Sequence, residues 1–342
     1  MSNAEAAQLA LPGVQSDATI EWVWSEDEGE VNVVEQFVHA TVMRTEVAAA
    51  LSPRDGGIYV DATLGGGGHA EAILELAPGA KVIGFDRDIH AISAAEQRLE
   101  RFEGRVEIVK KNFACVKEEL LAMGITKVDG LCADLGVSSP QLDDPSRGMS
   151  FRREGPLDMR MDQANGETAL EMIDRLGDDE LADIIFKYGD ERRSRRIARS
   201  IKRALGDNDL NTTLDLRRAI VRAVGPVRVG GVDPATRTFQ AIRIAVNGEL
   251  DELATLLGSL ADIIVPGGAA AILSFHSLED RQAKQTFAVR KVWAPIWKKP
   301  IGASEDECAQ NVRARSAKLR AARRLEDVME EAFDEEEQEW MR

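Results

Sequence analysis

The chain has 342 residues, 44% of them apolar and 30% charged, enough to bury a sizeable core in one large domain or two smaller ones. Three cysteines, Cys115, Cys132 and Cys308, with no CxxC pair argue against a disulfide scaffold or a structural zinc site. The net charge of −16 looks hostile to nucleic acid, but residues 1–36 hold eight acids and no base, residues 326–342 hold nine acids and one arginine, and 37–325 balances 42 acids against 42 bases. Basic faces for RNA therefore remain open to the central part.

The elements follow in chain order. Residues 1–36 are acidic and aperiodic, despite Trp22 and Trp24, and read as a disordered tail. The first residues carry no basic region ahead of their apolar ones, which does not read as a secretory signal, and the sparse, unpaired cysteines fit a reduced cytoplasm. Gly57–Ala62 predicts a strand running into glycines, His69–Ala77 a helix, Lys81–Asp86 a strand, and Ile89–Arg101 a helix. Arg105–Lys110 predicts a third strand, Phe113–Met123 a helix, and Val128–Asp134 a fourth strand. This alternation predicts βαβ units in a parallel, doubly wound sheet.

After Asp134 the pattern changes. Residues 145–233 read as a helical insertion, with helices over Thr168–Leu176, Asp178–Tyr188, Glu191–Leu205 and Thr213–Val224. The sheet domain is then discontinuous, 37–144 with 234–325. Phe239–Ile264 predicts one helix and Ala269–Phe275 a buried strand. The longest apolar run, Leu260–Leu273, is interrupted by Asp262 and Pro266-Gly267-Gly268, so no membrane helix fits there. Lys291–Trp297 and Ser316–Ala322 predict a closing antiparallel pair, the second segment reading equally well as a basic helix. Residues 326–342 form a second acidic tail.

The strongest local signal is Asp61-Ala-Thr-Leu-Gly65-Gly66-Gly67-Gly68-His69, where a strand runs through four glycines into a helix. Glycines admit positive φ and let a ligand approach the backbone. Asp86 ends the next strand, placed to accept from ribose hydroxyls. Together they indicate an adenosine-type cofactor. Gly65, Gly67 and Ala70 also satisfy G-x-G-x-x-G/A, so a dinucleotide is an alternative. Asp61 weighs against it, since a pyrophosphate there would face a carboxylate. S-adenosylmethionine, with a sulfonium and an ammonium and no phosphate, suits that carboxylate. Asn112-Phe113 follows the third strand, where a side chain can stack on or bond to adenine. Asp134 and the stretch to Gln141 line the place where a methyl acceptor would meet the donor.

At this point the residues match a family. The chain resembles the bacterial 16S rRNA cytosine-N(4)-methyltransferases, the RsmH or MraW family. The motifs run in order from His39-Ala-Thr-Val-Met through Asp61–His69, Asp134–Asp144 (DLGVSSPQLDD), Arg147-Gly-Met-Ser-Phe and Gly155–Asp162 (GPLDMRMD). They continue with Tyr188-Gly-Asp-Glu-Arg, Pro234–Ile244 (PATRTFQAIRI), Ser274–Arg281 (SFHSLEDR) and Arg313–Arg320 (RARSAKLR). The tails depart from the pattern, and Asn311-Val312 stands where Asn-Pro is expected. The resemblance implies an α/β class I S-adenosylmethionine-dependent methyltransferase, a Rossmann-like doubly wound sheet with an inserted helical domain. It implies cofactor contacts at Gly67, Gly68, His69, Asp86, Phe113, Asp134 and Gln141, to which Asp61 and Gly65 add from the loop reading. The implied acceptor is a decoding-centre cytidine of small-subunit rRNA, with the assembled subunit as partner, no membrane, no metal, and room for a homodimer.

The exocyclic amine of cytosine is a poor nucleophile, because its lone pair is delocalised into the ring. Asp134, Ser138 and the backbone around Pro140 are placed to accept from its N–H groups. Asp134 serves either the cofactor or that amine. The base must be unstacked to reach the pocket. Candidate RNA contacts are the basic run Lys187–Arg203, with Arg192 and Arg196, then Arg160, and a basic–aromatic cluster of Arg237, Phe239, Gln240 and Arg243. The competing readings are a solvated helix and helix packing. His276 touches substrate or bonds Glu279. Alternatives at this stage are an amino-methyltransferase acting on DNA or another RNA, a non-catalytic factor of small-subunit assembly, and a dehydrogenase.

Overall fold

The computed structural model describes residues 41–226 and 232–326, with Ser139 and Pro140 described by their main chain only. The expectations for residues 1–36, His39 and the tail from 327 onward lie outside the described residues. In chain order the elements are α1 (Arg44–Leu51), β1 (Ile58–Asp61), α2 (Gly68–Leu76), β2 (Lys81–Asp86), α3 (Ile89–Leu99), β3 (Val106–Lys110), α4 (Val116–Ala122), β4 (Val128–Asp134) and the short α5 (Ser139–Asp143). Four helices follow, α6 (Ala169–Arg175), α7 (Asp178–Gly189), α8 (Ser194–Gly206) and α9 (Thr213–Val224). The chain then continues through α10 (Thr236–Asn247), α11 (Glu249–Ile263), β5 (Ile264–Ser274), α12 (Ser277–Phe287), β6 (Trp293–Pro295), α13 (Glu305–Gln310) and β7 (Lys318–Arg324).

The seven strands form one sheet in the order β3-β2-β1-β4-β5-β7-β6. β1 to β5 are parallel, and β7 enters antiparallel between β5 and β6. Alternate residues of each strand feed two cores, as the two-residue period of a strand requires. Tyr59, Val82, Cys132, Ala271 and Leu319 pack on one face with α1, α2 and α3. Val60, Ile83, Leu131, Ile272 and Ala322 pack on the other with α4, α11 and α12. Helices on both faces make the sheet doubly wound, as expected. A third core has no strand in it. Ile173, Leu181, Ile185, Ile197, Ile201, Leu216 and Ile220 of α6–α9 close around Phe239 and Ile242 of α10.

The differences from the sequence reading have local causes. The helix expected over Phe239–Ile264 is two helices, because Gly248 caps α10 at φ +62° and turns the chain before α11 starts. β5 begins at Ile264 and carries Pro266–Gly268 inside it, with a shift of register against β4 between Val128 and Gly130. Ser316–Ala322 resolves as the strand β7, not a basic helix, since Leu319, Ala321 and Ala322 are buried between β5 and β6. α1 and α12 were not expected. In α12 the sequence offers few apolar residues, and only Ala283 and Phe287 anchor its buried face. Among the described residues, no helix is long and apolar enough to cross a membrane.

Candidate functional site

The site lies at the carboxyl ends of β1, β2 and β4, where strand order reverses around β1. Leu64 N–H donates to Phe85 O at 2.8 Å and Gly67 N–H to Leu64 O at 2.8 Å, so the glycine turn is folded back onto the end of β2. Gly67 has φ +79° and precedes α2, a conformation that excludes most side chains. Gly68 is fixed by crowding instead: a Cβ there would lie 1.7 Å from Thr41 Oγ1. Asp86 holds the turn by accepting from Gly65 N–H at 2.8 Å, and it also accepts from Asp88 N–H at 2.9 Å. Burial raises the pKa of Asp86, against the pull of those two N–H groups.

Asp61, His69 and Asp134 meet behind this turn. Asp61 is 0% exposed and His69 5%. His69 Nε2 stands 3.7 Å from Asp134 Oδ2, an ion-pair separation longer than a hydrogen bond. Burial pushes the Asp61 carboxyl up to about 6, with His69 pulling the other way. Burial lowers the His69 pKa, but the carboxylates of Asp134 and Asp61 outweigh it and the net shift is upward. Thr63 Oγ1 accepts the Asp134 N–H at 2.6 Å and locks β4 to the turn. Asp61 Oδ2, Asp134 Oδ1 and both His69 nitrogens are buried without a hydrogen-bond partner. Buried polar atoms are rarely left so, and a cluster of them is what a ligand, an ion or water would satisfy.

These residues fit S-adenosylmethionine. The acidic pair Asp61 and Asp134 suits a cationic ligand, Asp86 offers acceptors for ribose hydroxyls, and the Gly65–Gly66 backbone is open on its Cβ side. A pyrophosphate at the same place would meet the two carboxylates of Asp61 and Asp134 against the single imidazole of His69. Phe113 lies half-buried against the sheet core after β3. Asn112 is not free for adenine through its carbonyl, since its Oδ1 accepts from Ala114 N–H at 2.8 Å. Asp86→Ala is expected to weaken S-adenosylmethionine binding about 10- to 100-fold by removing a charged acceptor, with the circular dichroism spectrum unchanged. An unchanged dissociation constant in calorimetry would take Asp86 out of the site.

The residues expected around the acceptor divide. Ser138 Oγ accepts from Gln141 N–H at 3.4 Å, while Gln141 Oε1 accepts from Ser138 N–H at 3.0 Å, so both brace the turn into α5. Gln141 Nε2 donates to Asp88 at 2.9 Å. Pro140 lies in α5, and its side chain falls outside the described ones. Arg160 is forked onto Asp158 at 2.7 and 2.9 Å and donates to Gly166 O at 3.1 Å. It faces a cavity of about 360 Å³ that opens between the ends of β2 and β3 and the 160–166 loop, where Arg87, Lys110 and Asn112 face Asp162 and Asn247. Arg192 and Arg196 are exposed around the start of α8, and Lys202 is spent on Ile173 O and Asp174 O at 2.9 and 3.0 Å.

Two expectations are corrected. Phe239 is 4% exposed, with Phe151 edge-on at 5.0 Å, so its ring belongs to the helical core and is closed to a base. Arg243 forks onto buried Glu249 at 2.8 Å through Nε and one terminal nitrogen, so its charge is already committed to that carboxylate. Arg237 is exposed and donates to Asp190 O at 3.3 Å. Glu279 accepts from the N–H groups of Phe275 and His276 at 2.9 and 3.3 Å, and His276 Nε2 lies 3.1 Å from its other oxygen. His276 thus pairs with Glu279. The ligand atoms of Glu249, His276 and Glu279 come within 4.8 Å of one another, but the Arg243 fork already balances Glu249, which makes the group an ion-pair network.

Asp88 and Arg147 were missed as site residues. Asp88 caps α3 through His90 N–H at 3.0 Å, and the Arg147 guanidinium pairs with it in a buried contact. The signal was present, as an aspartate directly before an apolar-periodic helix. Thr63, two residues after Asp61, was overlooked in the same way.

A doubly wound sheet with a glycine turn and the acids Asp61, Asp86 and Asp134 at its switch point has the architecture of a class I methyltransferase. The model of the MraW methylase family matches residues 36–325, and the chain belongs to that family. Curated relatives agree. The ribosomal RNA small subunit methyltransferase H of Sorangium cellulosum is 62% identical over 287 residues, 84% of this chain and 91% of the relative. The proteins of the same name from Geobacter sp. strain M21 and Synechococcus elongatus are 45% and 47% identical, over 85% and 84% of this chain and 100% and 95% of theirs.

Proposed function

We propose that this protein is a cytoplasmic S-adenosylmethionine-dependent methyltransferase of small-subunit rRNA, acting on the exocyclic N(4) amine of a decoding-centre cytidine. The observation that carries the reading is the buried, unpartnered set of Asp61, His69 and Asp134 atoms behind a glycine turn. Family membership and the relatives' names supply the RNA.

When bound, the cofactor supplies an electrophilic methyl group on a sulfonium. The chain's own residues do the rest. Asp61 meets the ammonium end and Asp86 the ribose, which fixes the donor along the edge of the sheet. Asp134 accepts from the cytosine amine N–H, makes the nitrogen more nucleophilic, and takes the proton that the nitrogen sheds as its bond to the methyl carbon replaces the sulfur–methyl bond. His69 stands beside Asp134, its Nε2 3.7 Å from the carboxylate. Ser138 and Gln141 hold the turn that covers this edge, and closing it keeps water from the reacting atoms. The helical unit from 145 to 233 faces the RNA, and the assembled subunit presents the cytidine unstacked.

Labelled S-adenosylmethionine, offered to unmethylated small subunits, naked rRNA and duplex DNA, tests this directly. N(4)-methylcytidine on the subunits, identified by nucleoside mass spectrometry, is the expected product. Another methylated nucleoside would refute the N(4) assignment, and cofactor binding without transfer to any substrate would favour the assembly-factor reading.

A further inference from the structure

Phe186 stands on the last turns of α7 with 54% of its surface exposed, although Leu181, Ala182 and Ile185 of the same helix are fully buried. The ring is not isolated. It forms one wall of a cleft of about 370 Å³ whose other walls are Ser194 and Arg192, Arg193, Arg195, Arg196 and Arg199, with no acidic residue in the lining. Some of these cations are occupied. Arg193 donates to Val224 O at 3.0 Å and lies 3.5 Å from Glu191. Arg195 faces Asp183 and Asp179 at 3.5 and 4.0 Å, exposed pairs that contribute little and exchange readily. Arg192 and Arg196 have no acidic partner among the described residues. α8 itself is sharply two-sided, with Ile197, Ala198 and Ile201 buried and Arg195, Arg196, Arg199 and Arg203 facing outward.

We propose that this cleft binds an unpaired segment of RNA, with one base stacked on Phe186 and its flanking phosphates held by Arg192 and Arg196. The chemistry selects single strands. An exposed phenyl ring among guanidinium groups offers a stacking face beside a phosphate grip, the combination that single-stranded sites use. A duplex hides its base faces and engages only the charge. The cleft contains no residue of the glycine turn and none of Asp61, Asp86 or Asp134. It is therefore an anchoring site apart from the reacting base, and Phe186 takes the part in RNA contact that buried Phe239 cannot. The inference rests on the rRNA reading above.

The test uses the whole protein, an unstructured RNA dodecamer and the duplex of the same sequence, with fluorescence anisotropy over a range of salt. Phe186→Ala is expected to weaken single-strand binding about tenfold and leave duplex binding and the salt slope unchanged. Phe186→Trp restores affinity, and its added fluorescence is quenched by the single strand. Arg192→Gln with Arg196→Gln lowers the single-strand salt slope by about 1.4. S-adenosylmethionine affinity stays at the wild-type value in every variant, and on small subunits Phe186→Ala raises KM with kcat unchanged. Equal loss of single-strand and duplex binding, or no loss with Phe186→Ala, would overturn the proposal and leave a surface of charge alone, open to an acidic protein. If subunits are not methylated but binding still depends on Phe186, only the transfer reading fails. If methylation stands while Phe186→Ala binds and turns over like the wild type, only this one does.

Discussion

Asp61→Asn is expected to make the cofactor-free protein more stable at neutral pH and to abolish useful affinity for S-adenosylmethionine. In the folded chain the Asp61 carboxyl titrates at about 6 rather than 3.8, because it is fully buried. The folded state therefore holds this proton more tightly than the unfolded state does. Between pH 4 and 6 the folded molecule carries more protons, so stability falls as pH rises through that window. By pH 7 the deficit from this one group is about 3 kcal/mol. Asparagine removes the charge and with it the deficit. In the wild type a cationic ligand against Asp61 relieves the same burden, and that relief is binding energy. Losing it should weaken the cofactor about 100-fold. Thermal unfolding at pH 4 and 7.5, with and without S-adenosylmethionine, reads both effects. The variant should be ahead at pH 7.5 without cofactor, lose most of its lead at pH 4, and gain little from cofactor at either pH. A variant less stable than the wild type at pH 7.5 would show that the buried charge is already balanced within the protein.

This trade between stability and binding explains which parts of the site could be read from the sequence. Asp61, the glycines and Asp86 lie where a strand ends, and the period of the strands placed them on one edge before any contact was known. The sheet was legible for the same reason, since runs such as KVIGFD and VDGLCAD can bury both faces only inside a parallel sheet. What a period of residues cannot say is which charge meets which. Arg243 reads as a free cation in PATRTFQAIRI, and only the break at Gly248 brings Glu249 back against it. Phe239 reads as an aromatic beside two arginines, while its neighbour Phe151 comes from a stretch 88 residues earlier. Phe186 follows buried Ile185 in the apolar run IIF of α7, yet 54% of its surface is exposed, which the run itself does not announce. α12 was missed because the residues that hold it, Ala283 and Phe287, are too few to show a helical period.

The contact between Asp88 and Arg147 carries the second large effect. It joins the turn after β2 to the segment after α5, and Gln141 reaches the same carboxylate at 2.9 Å. Both charged groups are buried. Arg147→Met leaves the Asp88 carboxylate buried with only the His90 and Gln141 N–H groups, and should cost about 3–5 kcal/mol of stability. Asp88→Ser keeps a cap for α3 but strands the Arg147 guanidinium, with a loss of similar size. The double variant removes both charges and should unfold within about 1–2 kcal/mol of the wild type, since a buried ion pair replaced as a pair is close to neutral. Binding should not recover with it. In the two variants that lack the Asp88 carboxylate, Gln141 loses the acceptor that aims its amide, the turn at Ser138 loosens, and S-adenosylmethionine affinity stays about tenfold down. Urea unfolding read beside calorimetry separates the two quantities. Additive stability losses in the double variant would mean that the two side chains do not act as a pair, and wild-type affinity there would mean that Gln141 is held by the Ser138 turn alone. Restored stability with impaired binding would establish the pair as a positioning device, one that sets the loop over the cofactor without touching it.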